Sequence, residues 1–287
     1  MDLESLYIIA INFMLEIFQY SFMWRAIIAG IFSALLLGSL GVFATTRKMS
    51  FMGDGVAHAS LAGIALAILL GWAPMFVAII FAIFIAILIY ILEKKSNLSA
   101  DMAISIIFTG GMALGILFLS YYQGYQPELI SYLFGNILTI SNEDLFTVIT
   151  VSLIILTLLI IFYRRILFST FDPVGAYLSG LRVFLYDIFL YIAIAIAVIV
   201  SIKLVGIVLV SALLVLPSAI SKIFSKSFKK LIILASILSI IIVLSGLLIS
   251  YYLNLPSGSA IVLVGILFFI LASLFKVIKT SLNRKNN

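Results

Sequence analysis

Asp54 and His58 are the two residues of this 287-residue chain whose types and spacing point most directly to chemistry. They stand four residues apart in the apolar segment "GDGVAHASLAGIALAILLG", and residues at that spacing share one face of a helix. A carboxylate oxygen and an imidazole nitrogen on adjacent turns can bind a divalent transition metal. The chain has no other histidine and no cysteine, which excludes thiolate metal sites and disulfides.

Two other roles for this pair stay open on the spacing alone. A hydrogen bond between the two side chains would make them a structural pair, and histidine, which titrates near neutral pH, can relay protons. Asp54 is the one acidic residue predicted inside a span, since the other ten lie in tails, connections or at helix ends. Counted along a continuous helix from Arg47, His58 lies about 16 Å deeper, near the middle of the bilayer. An isolated charge there costs at least about 2.5–3.5 kcal/mol, so Asp54 needs a partner, a cavity or a bound ion.

An enzymatic role is disfavoured by the motifs of the chain. An intramembrane metalloenzyme requires three protein ligands and an open position, whereas this chain has one histidine and no HExxH motif. The phosphate-binding pattern GxxxxGK[ST] is also missing, so the chain does not hydrolyse ATP in that manner. We therefore do not expect this chain to be an enzyme.

The elements that must position the pair are membrane-spanning helices. The chain is 65% hydrophobic and 10% charged, and its apolar stretches repeatedly reach the roughly 20 residues that cross a bilayer core. We predict an all-α fold, a polytopic transmembrane helical bundle with eight to nine spans. Whether the sixth and seventh helices, separated by "SIKLVG", are one or two is open. The candidate spans are 22–44, 51–71, 75–92, 102–121, 144–163, 183–201, 204–219, 230–251 and 258–277.

The distribution of basic residues predicts the orientation. Of the 17 lysines and arginines, 15 lie in alternate connections and in the carboxyl-terminal tail. Such connections face the cytoplasm, which places the amino terminus outside and the carboxyl terminus inside. The net charge of +6 is thereby explained by topology, without a nucleic-acid partner. The chain is predicted to be a multi-pass protein of the cell (inner or plasma) membrane, in contact with lipid.

Three regions divide the chain. Residues 1–21 are predicted to form an amphipathic segment at the interface, 22–279 the transmembrane domain and 280–287 a cytoplasmic tail. The apolar patch "LISYLFGNILTI" is too short to cross and lies along the surface or re-enters. Small residues recur every four positions in the first two spans, which brings helices into close contact. They are Ala26, Gly30, Ala34 and Gly38, then Gly55, Ala59, Gly63, Ala67 and Gly71.

A short helix is predicted at about 172–181 in a cytoplasmic connection. Asp172 is a good N-cap, Pro173 suits the first helical position, and Gly180 marks the end. The helix is either an ordinary capped surface helix or a docking element for a separate motor subunit.

Several stretches together resemble one known family. "MSFMGDGVAHASLAGIALAILLG" is similar to the second-helix signature of the zinc and manganese permeases of bacterial ATP-binding-cassette importers. In the same order, "ISYLFGNILTISNEDL" resembles the family's outer connection, "KLVGIVLVSALLVLPSAIS" its late core helix and "NLPSGSAIVLVGIL" its last turn and final span. The resemblance covers nearly the whole chain.

The resemblance implies a homodimeric permease that receives metal from an extracytoplasmic binding protein and couples to two ATP-binding subunits. It makes Asp54 and His58 metal-path ligands, and it makes the 172–181 segment the coupling helix, with Asp172, Pro173, Gly175 and Gly180. No cofactor is bound permanently, and the cargo is Zn²⁺ or Mn²⁺. The words "SLAG" and "YLFG" favour zinc members over manganese members, for which "VLPG" is typical. The alternative is a secondary transporter or channel that uses Asp54 and His58 as a proton or ion relay.

Overall fold

The computed structural model describes residues 20–96, 98–121, 135 and 140–285. Within these ranges the regular structure is helical, without strands, as the predicted all-α class requires. The predicted interfacial segment 1–21 and the patch 129–140 fall almost entirely outside them. The helices are α1 Ser21–Thr46, α2 Met52–Leu70, α3 Pro74–Lys95, α4 Ala100–Ser120, α5 Asn142–Phe171, α6 Pro173–Leu178, α7 Val183–Val205, α8 Ile207–Phe224, α9 Phe228–Leu253 and α10 Ser257–Lys285.

Eight of the helices in the described ranges are long and apolar enough to cross a membrane: α1 to α5, α7, α9 and α10. Helix α8 is a shorter apolar helix that packs against α1, α9 and α10. The structure confirms the predicted polytopic bundle. Helix α10 continues through Lys285, so it extends into the segment predicted to be the tail.

A break at Gly206 separates α7 from α8 and answers the question that the sequence left open. Gly206 has φ 82° and ψ 160°, a conformation that is open to glycine and costly for other residues. Pro217 does not end α8, because the helix continues to Phe224. Its ring removes one backbone donor, and the Ser221 hydroxyl donates to the Pro217 carbonyl oxygen at 2.7 Å. Thus α7 and α8 are two helices.

Close backbone contacts hold α1 in the centre of the bundle. The Ser239 hydroxyl of α9 donates to the Ala34 carbonyl oxygen at 2.6 Å. A methyl group added at Gly41 would overlap the carbonyl oxygen of Leu214 in α8. Ala34, one of the small residues predicted to make close contacts, therefore lets α9 approach the α1 backbone directly. Gly41, which lies outside the predicted set, does the same for α8.

The small residues of α2 bring it against α3 and α4 in the same way. A methyl group added at Gly111 of α4 would lie 2.5 Å from the Ala59 Cα atom. A methyl group added at Gly63 would lie 2.7 Å from the Phe81 Cβ atom of α3. These two contacts bring the backbone of α2 close to both α3 and α4.

Candidate metal site

Helix α2 begins after a tight turn, which sets the position of the Asp54–His58 pair. Lys48 has a positive φ of 59°, and the helix starts at Met52. Asp54 therefore lies in the first turn of α2 and His58 about 9 Å along the axis from its first residue. The distance of about 16 Å counted from Arg47 is too long, because the turn after Arg47 is not helical and α2 begins only at Met52. The pair lies toward the end of α2 that adjoins this basic turn.

The Asp54 carboxylate is half-buried and held by a neighbouring helix. The Ser211 hydroxyl of α8 donates to Asp54 Oδ1 at 2.7 Å. The first-turn position adds a favourable interaction with the positive end of the helix dipole. The described residues offer no hydrogen-bond donor to the second carboxylate oxygen, Oδ2.

The His58 ring is oriented by the backbone and not by the Asp54 carboxylate. Its Nδ1 atom lies 3.0 Å from the Asp54 carbonyl oxygen. Because a carbonyl oxygen only accepts, Nδ1 carries the proton, and in the neutral ring Nε2 keeps its lone pair. The ring meets the Phe108 ring of α4 edge to face, with centroids 5.0 Å apart. His58 thus bonds to the backbone of Asp54 and not to its carboxylate, so the two side chains do not form the structural pair considered above.

The pair lies between α8 and α4, on a side of α2 that is partly open. Asp54 and His58 are half-buried, and Phe51 on the same stripe is 59% exposed. Among the described residues, no group of three or more His, Cys, Asp and Glu side chains is close enough to hold a metal. Among the described residues, one chain thus offers two atoms here that could donate to a metal, Asp54 Oδ2 and His58 Nε2, which is fewer than a closed site needs.

Ser211 was missed by the sequence analysis. It lies 157 positions from Asp54 along the chain, in an apolar helix that contains several serines. The only feature of the sequence that singles out Ser211 is its position, as a polar residue about one turn after Gly206. That signal does not identify its partner, because sequence periodicity shows which residues share a helix face and not which helices are neighbours.

A second buried carboxylate corrects the prediction that Asp54 is the only one. Asp187, predicted at a helix end, is 6% exposed within α7 and pairs with Arg47 at 2.6 Å. The Arg47 guanidinium also donates to Ser169 Oγ at 2.9 Å and to Thr170 Oγ1 at 3.0 Å. We call these four residues the Arg47 clamp. It joins the end of α1 to the last turn of α5 and the first turns of α7.

The predicted coupling residues come together in and around α6. Asp172 caps the helix, with its Oδ1 accepting from the Gly175 amide at 2.8 Å, and Pro173 is the first helical residue. Gly180 follows the helix with φ 83°. Ala176 faces inward and is fully buried. Three apolar side chains are exposed by 68–78%: Val174, Tyr177 and Leu178.

These features define a class, a multi-pass helical membrane protein with a polar pair on one of its central helices. Comparison with known proteins makes the class specific. The model of the ABC 3 transport family matches residues 19–276. The chain therefore belongs to this family, which confirms the predicted resemblance: it is the permease of an ABC metal importer and a multi-pass protein of the cell membrane.

Named relatives and a solved structure match over most of their length. The manganese transport system membrane protein MntC of Listeria monocytogenes is 35% identical, over 92% of this chain and 94% of its own. The manganese import system permease protein ScaB of Streptococcus parasanguinis is 33% identical, over 88% and 90%. The structure of PsaBC from Streptococcus pneumoniae in complex with Fab superposes with a TM-score of 0.81 at 32% identity, over 92% of this chain and 95% of that one.

Proposed function

We propose that a divalent transition metal crosses the membrane through this permease and binds Asp54 and His58 on the way. The observation that carries the proposal is the orientation of the two side chains. Ser211 binds Asp54 Oδ1, and the Asp54 carbonyl oxygen binds His58 Nδ1. The other two polar atoms, Asp54 Oδ2 and His58 Nε2, remain as donors on the partly open side of α2. Carboxylate oxygen and neutral imidazole nitrogen are both ligands for such metals.

Mn²⁺ is the cargo that we propose, with Zn²⁺ as its competitor. MntC and ScaB carry manganese in their names, and they match this chain over most of its length. The available donors, carboxylate and hydroxyl oxygens with one imidazole and no thiolate, suit manganese. The sequence stretches "SLAG" and "YLFG" resemble zinc members of the family and are the evidence for Zn²⁺.

A second copy of the chain completes the proposed site. Two protein donors are too few for a metal, and a two-fold axis beside the open stripe of α2 would bring a second Asp54–His58 pair. Pairing would also take a half-buried carboxylate out of contact with lipid, where a charged side chain needs a partner, a cavity or a bound ion. The proposed unit is therefore a homodimer with the metal path between its protomers.

Two ATP-binding subunits and an extracytoplasmic metal-binding protein complete the proposed assembly. Family membership supports both kinds of partner, and the basic connections favour a cytoplasmic position for the carboxyl terminus and α6. The exposed apolar residues of α6 form a small rigid projection of the kind that a separate ATPase can hold. ATP is hydrolysed by that partner and not by this chain.

The energy source separates this function from a secondary transporter or channel. The complex is reconstituted in proteoliposomes with its ATPase and binding protein, and ⁵⁴Mn²⁺ uptake is measured. We expect uptake to continue after a protonophore collapses the proton gradient and to stop when a non-hydrolysable ATP analogue replaces ATP. Uptake that needs the gradient and ignores the nucleotide would contradict an ATP-driven importer.

The α6 projection gives a prediction about coupling. Tyr177→Glu places a charge on a side chain that is 74% exposed, so the fold of the permease should be unaffected. We expect transport-stimulated ATP hydrolysis to fall by about 10-fold or more, since a 10-fold change in coupling is only about 1.4 kcal/mol.

The matched control is Lys226→Glu, which adds a glutamate at another exposed position of the same basic side, outside α6. It should keep ATPase stimulation near that of the unmodified protein. Unchanged stimulation in Tyr177→Glu would identify α6 as an ordinary capped helix.

A further inference from the structure

Ser211 of α8 is the polar neighbour that holds Asp54, and its contact is built into the packing of two helices. The hydroxyl donates to Asp54 Oδ1 at 2.7 Å, and the side chain is 8% exposed. A methyl group added at Gly53 would lie 2.8 Å from Ser211 Oγ and 3.0 Å from Ser211 Cα. The bond therefore follows from close approach of the α2 and α8 backbones, and not from a long side chain that reaches across a gap.

This hydrogen bond restricts the Asp54 carboxylate to one orientation. A serine hydroxyl has one proton to donate, and here that proton points at Oδ1. Hydrogen bonds to an ionised acceptor are stronger than neutral ones, so the carboxylate is fixed and not free to rotate. A metal that approaches along the open stripe of α2 then meets Oδ2 next to His58 Nε2.

We propose that Ser211 is a positioning residue for the metal, which sets the affinity of the site by orienting Asp54; this inference rests on the proposed function. Groups that hydrogen-bond to metal ligands orient them, and their loss costs about 10–100-fold in metal affinity. Ser211 plays this part for Asp54, just as the Asp54 carbonyl oxygen does for the His58 ring. The metal site thus extends from α2 onto α8.

The test compares Ser211→Ala with a matched serine of the same helix. Ser218 lies two turns further along α8, is 3% exposed and shares a hydrogen bond with Thr45 of α1. Ser218→Ala therefore removes an equally buried interhelical bond of α8 that does not touch Asp54. Both variants and Asp54→Asn are reconstituted with the ATPase and binding protein, and ⁵⁴Mn²⁺ uptake is measured over a range of metal concentrations.

We expect Ser211→Ala to raise the KM for Mn²⁺ by about 10-fold or more with little change in maximal rate. Ser218→Ala should leave KM unchanged, and a Ser211→Thr variant that retains the hydroxyl should restore most of the affinity. If Ser211→Ala has an unaltered KM while Asp54→Asn is inactive, the positioning role is wrong and the metal site stands. If Asp54→Asn transports normally, the proposed site itself is wrong.

Discussion

The double variant Asp54→Asn, His58→Gln is expected to abolish metal uptake while the protein still inserts and folds. Asparagine retains an oxygen that can accept from Ser211, so the contact between α2 and α8 survives. The replacement removes the negative charge of the carboxylate and the Nε2 lone pair of the imidazole. Losing a ligand is more severe than losing a supporting group, which already costs about 10–100-fold, so we expect a reduction beyond about 100-fold.

Uptake of ⁵⁴Mn²⁺ and thermal stability of the purified permease should be measured on the same preparations. The single variants Asp54→Asn and His58→Gln show whether both donors are needed. Ser218→Ala is the control for loss of a buried polar contact in the same bundle, and it should transport normally. Normal uptake by the double variant would remove these residues from the metal path.

The second large effect is expected at the Arg47 clamp. Asp187→Ala leaves the Arg47 guanidinium without its carboxylate in a site where the two side chains are 12% and 9% exposed. Breaking a buried ion pair by removing one partner costs about 3–5 kcal/mol, because the remaining charge is uncompensated. The hydroxyls of Ser169 and Thr170 are neutral, so they cannot replace the negative charge of the Asp187 carboxylate.

Thermal unfolding in detergent micelles measures this effect, and a double variant separates the charge from the packing. Arg47→Met with Asp187→Leu replaces both partners by apolar residues of similar size and should recover most of the stability lost by Asp187→Ala. A second control is Lys94→Met, since the Lys94–Glu93 pair has a 48% exposed lysine and is worth less than about 1 kcal/mol. If Asp187→Ala were as stable as the unmodified protein, the clamp would have no structural role.

The place of the clamp adds a reason to test transport in the same variants. Arg47 stands just before the turn that starts α2, and Thr170 stands just before α6. The clamp therefore links the helix that carries the proposed metal ligands to the proposed coupling helix through side chains that are in contact. A stable double variant with reduced ATP-driven uptake would show that the polar contacts transmit motion as well as stabilise.

The sequence predicted the spans well because length and apolar composition decide which helices can cross a bilayer. The small-residue spacing likewise predicted that α1 and α2 have close neighbours, and Gly38 of α1 and Gly63 of α2 make such contacts. Neither signal identifies the neighbour. Ser211 and Asp187 went unrecognised because each meets a partner 140 or more positions away along the chain.

The start of α2 shows a second kind of limit. An apolar pattern runs through residues 51–71, but whether the residues after Arg47 are already helical depends on the turn at Lys48, whose φ is 59°. A positive φ is uncommon for lysine, so the sequence does not predict this turn. The turn makes the distance from Arg47 to His58 shorter than a continuous helix would, whereas the position of Asp54 and His58 on one helix face was predicted correctly from the spacing.

The claim that Asp54 and His58 bind the metal is tested most directly by electron spin-echo spectroscopy of bound Mn²⁺. The chain has one histidine, so permease made with ¹⁵N-histidine carries the label at His58 alone, provided that its purification tag contains no histidine. We predict nitrogen modulation from bound Mn²⁺ whose frequencies change between ¹⁴N and ¹⁵N samples and which disappears in His58→Gln. Stoichiometrically bound Mn²⁺ with no nitrogen coupling in either sample would contradict the account.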